Sequence, residues 1–154
     1  LMKGRTYFPK NKDILFKLIN LYATNGAYDA IVPLSEEALA YEPENVQLNY
    51  LIGYAHEVTG KRVEAERYYK RALELNPDDY NSNYELGLLY LRDFVEDDQN
   101  LEKQYTAQEY LLKANEIDPN AVNALKSLAV LFTKAGNELQ LERVKSQLNQ
   151  ITIN

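Results

Sequence analysis

The chain of 154 residues contains no cysteine and only one histidine, and it has no cluster of lysine and arginine. Without cysteine there are no disulfides, thiolate metal sites or cysteine nucleophiles. His56 is the only histidine, and no Ser-His-Asp set, glycine-rich phosphate loop or metal-spaced cluster is recognisable in the sequence. No apolar run reaches the ~20 residues needed to span a bilayer, and no charged-then-apolar signal segment opens the chain. Phosphate surfaces attract a concentrated excess of basic side chains, whereas the formal net charge here is −6. These absences point to a chain that is not an enzyme, uses no cofactor or metal, binds no nucleic acid and does not insert into a membrane. The five prolines and six glycines fall mostly between helical patterns, and no alternating β-branched run marks a strand. With 45% hydrophobic residues for a core, the expected fold is all-α.

What is there is a period. In the stretch Val46 to Asp79, Tyr50, Gly53, Tyr54 and Val58 recur at helical spacing, Gly60 marks a turn, and Ala65, Tyr69 and Ala72 recur before Asn76-Pro77. Gly53 and Ala65 have little or no side chain, which lets two helices cross closely with Tyr69 filling the space beside them. Pro77 ends the second helix, since it supplies no amide hydrogen and disfavours helix at the preceding residue. Pro9, Pro43 and Pro77 follow one another at intervals of 34 residues.

This stretch resembles a tetratricopeptide repeat, a helix-turn-helix unit of 34 residues. Gly53, Gly60, Ala65, Tyr69, Ala72 and Pro77 match its pattern, while Asn49 stands where the first aromatic usually is and His56 where a Tyr usually is. The resemblance implies an all-α, right-handed α-solenoid of stacked antiparallel helix pairs that binds proteins or peptides and does no chemistry.

On that pattern residues 1–154 read as a single array. Residues 1–11 look like the tail of a truncated repeat, as in a piece excised from a longer array, so the layer of Leu15, Leu18 and Tyr22 would lack its cover and favour self-association through the N-terminal end. Residues 12–45 form a loosened repeat, with Ile19 and Ile31 at the crossing and Pro33 near the start of the second helix behind an Asp29 cap. Residues 46–79 are the reference unit. Residues 80–121 repeat it through Leu86, Gly87, Tyr90, Ala107, Leu111, Ala114 and Pro119 with eight residues inserted around Phe94 to Glu102, which should lengthen the turn. Asn100 is placed to cap a longer second helix, with Leu101 and Tyr105 extending its apolar stripe. Glu96, Asp97 and Asp98 lack the alternating ligands and central glycine of a calcium loop and read as a solvated acidic turn. Residues 122–154 form a capping repeat, because Lys145 takes the place of Tyr69 and Leu111 and polar residues surround it.

His56 replaces a packed aromatic, as Tyr22, Tyr90 and Phe132 stand in the other units, and reads as a hydrogen-bonded core residue. The pairs Glu36-Glu37 and Asp78-Asp79 read as solvated surface. In tetratricopeptide arrays the first helices line the concave surface, and the resemblance therefore implies a groove for a peptide or protein partner. Asp13, Gln47, Asn81 and Asn123 form one column on it, Phe16, Tyr50, Tyr84 and Lys126 the next, and Asn20, Tyr54, Leu88 and Val130 the third, with Arg92 and Lys134 extending it. Amides suited to a peptide backbone thus lie beside rings suited to its side chains. One type of family member grips the carboxylate tail of a chaperone through Lys, Asn and Arg. Here Asn20 fits that set, but Phe16, Leu51, Asn81 and Glu85 do not. Two further roles fit the same pattern, a structural element that self-assembles through open repeat ends and a regulatory region of a larger protein.

Overall fold

The computed structural model describes residues 11–153, all its elements are helical, and no strand occurs among the described residues. The expected stump of a severed repeat and the association through it lie outside the described residues, apart from Asn11. The chain divides into two compact units, residues 1–77 and 78–154.

The first unit contains α1 (Lys12–Thr24), two 3-10 turns (Tyr28–Ala30 and Val32–Leu34), α2 (Ser35–Tyr41), α3 (Val46–Val58) and α4 (Arg62–Leu75). Asn11 and Asn45 open α1 and α3 by accepting hydrogen bonds from the amides of Ile14 and Leu48, both at 2.9 Å. Gly60 turns α3 into α4 at φ 83°, a backbone region that side chains disfavour, and Gly26 adopts φ 70° after α1. The core gathers Leu15, Ile19, Ile31, Ala38, Leu48, Ile52 and Ala55. Each such large aliphatic contributes on the order of 1.5–3 kcal/mol by leaving water.

The first helix pair departs from expectation in its second limb. Asp29 makes no cap, and Pro33 sits in the second of two 3-10 turns, so continuous α-helix runs only from Ser35 to Tyr41. Volume at the crossing is redistributed. Ile19 and Ile31 are fully buried where the next pair has Gly53 and Ala65, and Ser35 is buried where the next pair has Tyr69, its Oγ donating to the Ile31 carbonyl at 3.3 Å.

The second unit contains α5 (Tyr80–Glu96), α6 (Leu101–Ile117), α7 (Val122–Lys134) and α8 (Glu138–Ile153). Its core includes Phe94, Leu111, Leu125, Leu128, Phe132 and Val144. The insertion lengthens the turn by only one residue, against the longer turn expected, and most of it is helix. α5 and α6 each have 17 residues where α3 and α4 have 13 and 14, leaving only residues 97–100 between them. Phe94 is what makes this favourable, because the extended α5 buries its ring to 1% exposure. Asn100 does cap α6, accepting from the Lys103 amide at 3.1 Å. Leu101 and Tyr105 are 57% and 59% exposed, so they do not extend the apolar stripe into the core. Nor is Asp79 solvated surface: it is buried and caps α5 by accepting from the Ser82 amide at 3.0 Å. Lys145 is exposed on α8, with Val144 buried beside it, as expected for a helix with one wet face.

Candidate functional site

In the first unit α1 and α3 present a pocket of about 300 Å³. Phe16 and Asn20 reach it from α1, and Gln47 and Tyr50 from α3, so four residues expected on the first-helix face converge on one cavity. Ile19, Leu48 and Leu51 supply an apolar floor that column spacing alone did not single out. Asn20 and Gln47 are exposed, while Phe16 and Tyr50 are half-buried.

Packing fixes the rings. Tyr50 stacks on Tyr54 at 6.2 Å and on Tyr69 at 5.9 Å between centroids, both at 29°, and Tyr54 meets Tyr28 edge to face at 5.0 Å. Tyr54 therefore supports Tyr50 and does not line the pocket. At the pocket's edge Lys12 lies 5.9 Å from the Phe16 ring centre and pairs with Glu42 at 3.2 Å. A hydrogen bond from Asn45, together with one from Lys12, holds the Glu42 carboxyl below the usual range.

In the second unit Asn81, Arg92, Asn123 and Lys126 are exposed on α5 and α7. Tyr84 and Leu88 are half-buried against the core, and Tyr84 stacks on Tyr80 at 5.9 Å and 12°. Burial pushes the Tyr80 hydroxyl's pKa up, and its neighbour Tyr84 adds to this. Lys134 is paired at 3.4 Å with Asp98, a residue of the insertion. A hydrogen bond from Gln99, and then Lys134, hold the Asp98 carboxyl below its ordinary value. A second pocket, of about 410 Å³, includes Lys134 and the column residue Val130 and is floored by Val95, Ala129 and Leu141. Val95 reaches it because the insertion extends α5.

His56 is 6% exposed, its Nδ1–H donates to the Ile52 carbonyl at 2.8 Å, and its ring lies 5.1 Å from that of Tyr68. These contacts make it a packing residue. Asn49 is likewise buried, its Nδ2 donating to the carbonyls of Pro43 and Asn45 at 3.2 and 2.9 Å, and Asn83 donates to the Asp79 carbonyl at 2.9 Å. Among the described residues no group of His, Cys, Asp or Glu is placed to hold a metal ion, and no helix is long and apolar enough to cross a membrane.

Residues 46–79 match a family model described as tetratricopeptide repeat, and residues 68–109 match a second model of the same description. Among solved structures, a crystal structure of MamA aligns with a TM-score of 0.78 at 20% identity, covering 95% of this chain and 75% of that one. A tetratricopeptide repeat protein from Parabacteroides merdae ATCC 43184 aligns at 0.73 and 21% identity, covering 98% and 56%. The first tetratricopeptide-repeat region of Spaghetti (RPAP3), bound to the HSP90 peptide SRMEEVD, aligns at 0.60 and 19% identity, covering 90% and 93%. No curated protein matches the chain. Identities this low speak to fold, and the fold they share is the one that the glycines, the alanines and Pro77 of residues 46–79 encode: residues 46–109 of this chain carry tetratricopeptide repeats.

Proposed function

We propose that the chain is a non-enzymatic protein-protein interaction scaffold that holds an extended peptide on its first-helix faces. Phe16, Asn20, Gln47, Tyr50 and Tyr54 form the surface of the first unit. Asn81, Tyr84, Leu88, Arg92, Asn123, Lys126 and Lys134 form that of the second. The observation that carries this reading is the convergence of Phe16, Asn20, Gln47 and Tyr50, from two successive first helices, on one pocket. A concave site with an apolar floor and a few polar groups at its mouth suits a side chain of a bound peptide, with the amides free to hold its backbone. The peptide-bound Spaghetti structure has a related fold and supports a peptide as the kind of ligand. Phe16 and Leu51 replace two of the polar groups of the carboxylate-gripping type, and both line the pocket, so the peptide held here is anchored by apolar side chains.

The test is selection from a random peptide display library on the 154-residue chain, followed by titration of the selected peptides against Phe16→Ala and Tyr50→Ala. Each substitution should cost about 1–2 kcal/mol of affinity while helicity is unchanged. Selected peptides that bind both variants as well as the parent would place recognition elsewhere.

A further inference from the structure

The first unit has another pocket, of about 350 Å³, that shares no lining residue with the peptide pocket. Leu39 of α2, Pro43 in the turn after it and Tyr68 on α4 form its apolar walls, Asn49 of α3 lies at its base, and Arg67, Arg71 and Glu74 of α4 stand at its lip, Glu74 being held by Arg71. Its origin is legible in the repeat. Asn49 stands where the repeat pattern carries an aromatic side chain, and the smaller amide turns back to the carbonyls of Pro43 and Asn45, leaving unfilled the space a ring would take.

The lip is charged in a specific way. α4 carries Arg62, Arg67, Lys70 and Arg71, in a chain whose formal net charge is −6. Arg62 and Lys70 pair with Glu66 at 3.1 and 3.9 Å, and Arg71 pairs with Glu74 at 3.0 Å. Arg67 is the one of these four with no carboxylate at ion-pair distance among the described residues. Its guanidinium carbon lies 4.9 Å from the centre of the Tyr68 ring, and one N–H donates to the Tyr68 hydroxyl at 3.3 Å. That contact fixes the guanidinium beside the apolar wall and leaves most of its donors to solvent, and His56 packs against Tyr68 at 5.1 Å. A preorganised arginine next to an apolar recess matches a large apolar side chain next to a carboxylate.

We propose that this pocket is a second docking site, for an acidic segment of a partner protein that inserts one large apolar side chain between Leu39, Pro43 and Tyr68 and sets a carboxylate against Arg67. The site stands independently of the peptide pocket, so a partner with two motifs would hold both at once and gain from their linkage.

The experiment is an amide chemical-shift titration of the isotope-labelled 154-residue chain with a capped heptapeptide, one phenylalanine flanked on each side by two glutamates and a terminal glycine, up to about 2 mM, the range where single short motifs bind. Saturable shifts at the Leu39, Asn49, Arg67 and Tyr68 amides are expected. Binding should weaken at least about fivefold when the peptide's phenylalanine becomes alanine or its glutamates become lysines. Arg67→Glu and Asn49→Phe, which refills the recess, should each abolish these shifts, while Tyr50→Ala leaves them intact. Arg67 is exposed, so its substitution tests the site without threatening the fold. No saturable shift at these amides, equal binding of the lysine peptide, or shifts confined to Phe16, Gln47 and Tyr50 would overturn the proposal.

Discussion

A Cβ placed on Gly53 would stand 2.8 Å from Cδ1 of the Tyr69 ring and 3.3 Å from the Ala65 carbonyl oxygen, so these two helices cross at a distance that only glycine permits. Tyr69 is fully buried and cannot swing aside. From helix propensity alone, alanine at position 53 would be neutral or better by up to ~1 kcal/mol. The contact reverses this. Gly53→Ala should lose about 1 kcal/mol net and Gly53→Leu about 3 kcal/mol, since overpacking a filled seam costs ~1–3 kcal/mol. Gly87→Ala should behave alike, because its Cβ would fall 2.7 Å from Cγ of Leu111. Urea unfolding checks this, and an unchanged midpoint for Gly53→Ala would mean that Tyr69 yields without cost.

The same tyrosine closes the pair at its other edge. Its hydroxyl donates to the Glu57 carboxylate at 2.6 Å, from a ring with no solvent exposure. Tyr69→Phe should lose about 1–2 kcal/mol, as hydrogen bonds to charged groups do. Glu57→Gln, which keeps an acceptor, should lose less. A double-mutant cycle that gave no coupling between the two would remove this bond from the stability of the unit.

The Asp98 and Lys134 pair should be readable by titration. A depressed carboxylate pKa means that the pair contributes fully above the ordinary aspartate value of about 3.9 and is lost as pH falls through the lower value of Asp98. Carbon-detected NMR of Lys134→Met should therefore show the Asp98 midpoint move up. Gln99→Ala should move it up as well, since the Gln99 hydrogen bond is the largest single cause, and a midpoint that stays put in that variant would assign the depression to Lys134.

For a selected peptide the two kinds of groove residue should separate in salt. Tyr50→Ala and Tyr84→Ala should each weaken binding by about 1–2 kcal/mol at any ionic strength. Lys126→Ala should act less, and only at low salt, because Lys126 is exposed and its field is screened within about 8–10 Å. Equal salt dependence of all three would point to an electrostatic complex without aromatic anchors.

Much of this was legible in the residues because it depends on small, local rules. Gly26, Gly60 and Gly136 could be placed at turns from spacing, and each takes a positive φ. Gly53 and Ala65 marked a crossing because absent side chains leave few other roles, and Asn100 marked a helix start. The convergence of Phe16, Asn20, Gln47 and Tyr50 followed from one helical face recurring at a fixed period. What escaped was decided by tertiary context. Phe94 sat in a stretch rich in acidic residues and read as loop, yet one buried ring was enough to carry α5 onward. Asp79 read as solvated beside Asp78, because nothing local says which of two adjacent carboxylates will turn inward to cap. The recess depends on Leu39 of α2, Asn49 of α3 and the Arg67-Tyr68 pair of α4 meeting from separate helices, which no single-helix pattern encodes.

The broken second limb of the first helix pair has a consequence for how the protein opens. Two 3-10 turns and a seven-residue helix between Tyr28 and Tyr41 hold their amides by fewer α-helical bonds than the continuous 14 residues of α4. A segment so short gains little from helical cooperativity and rests on its anchors, Ile31 and Ala38. Deuterium should therefore enter at 28–41 through a local opening well before it enters at 62–75, and a protease acting on the native protein should make its first cut there.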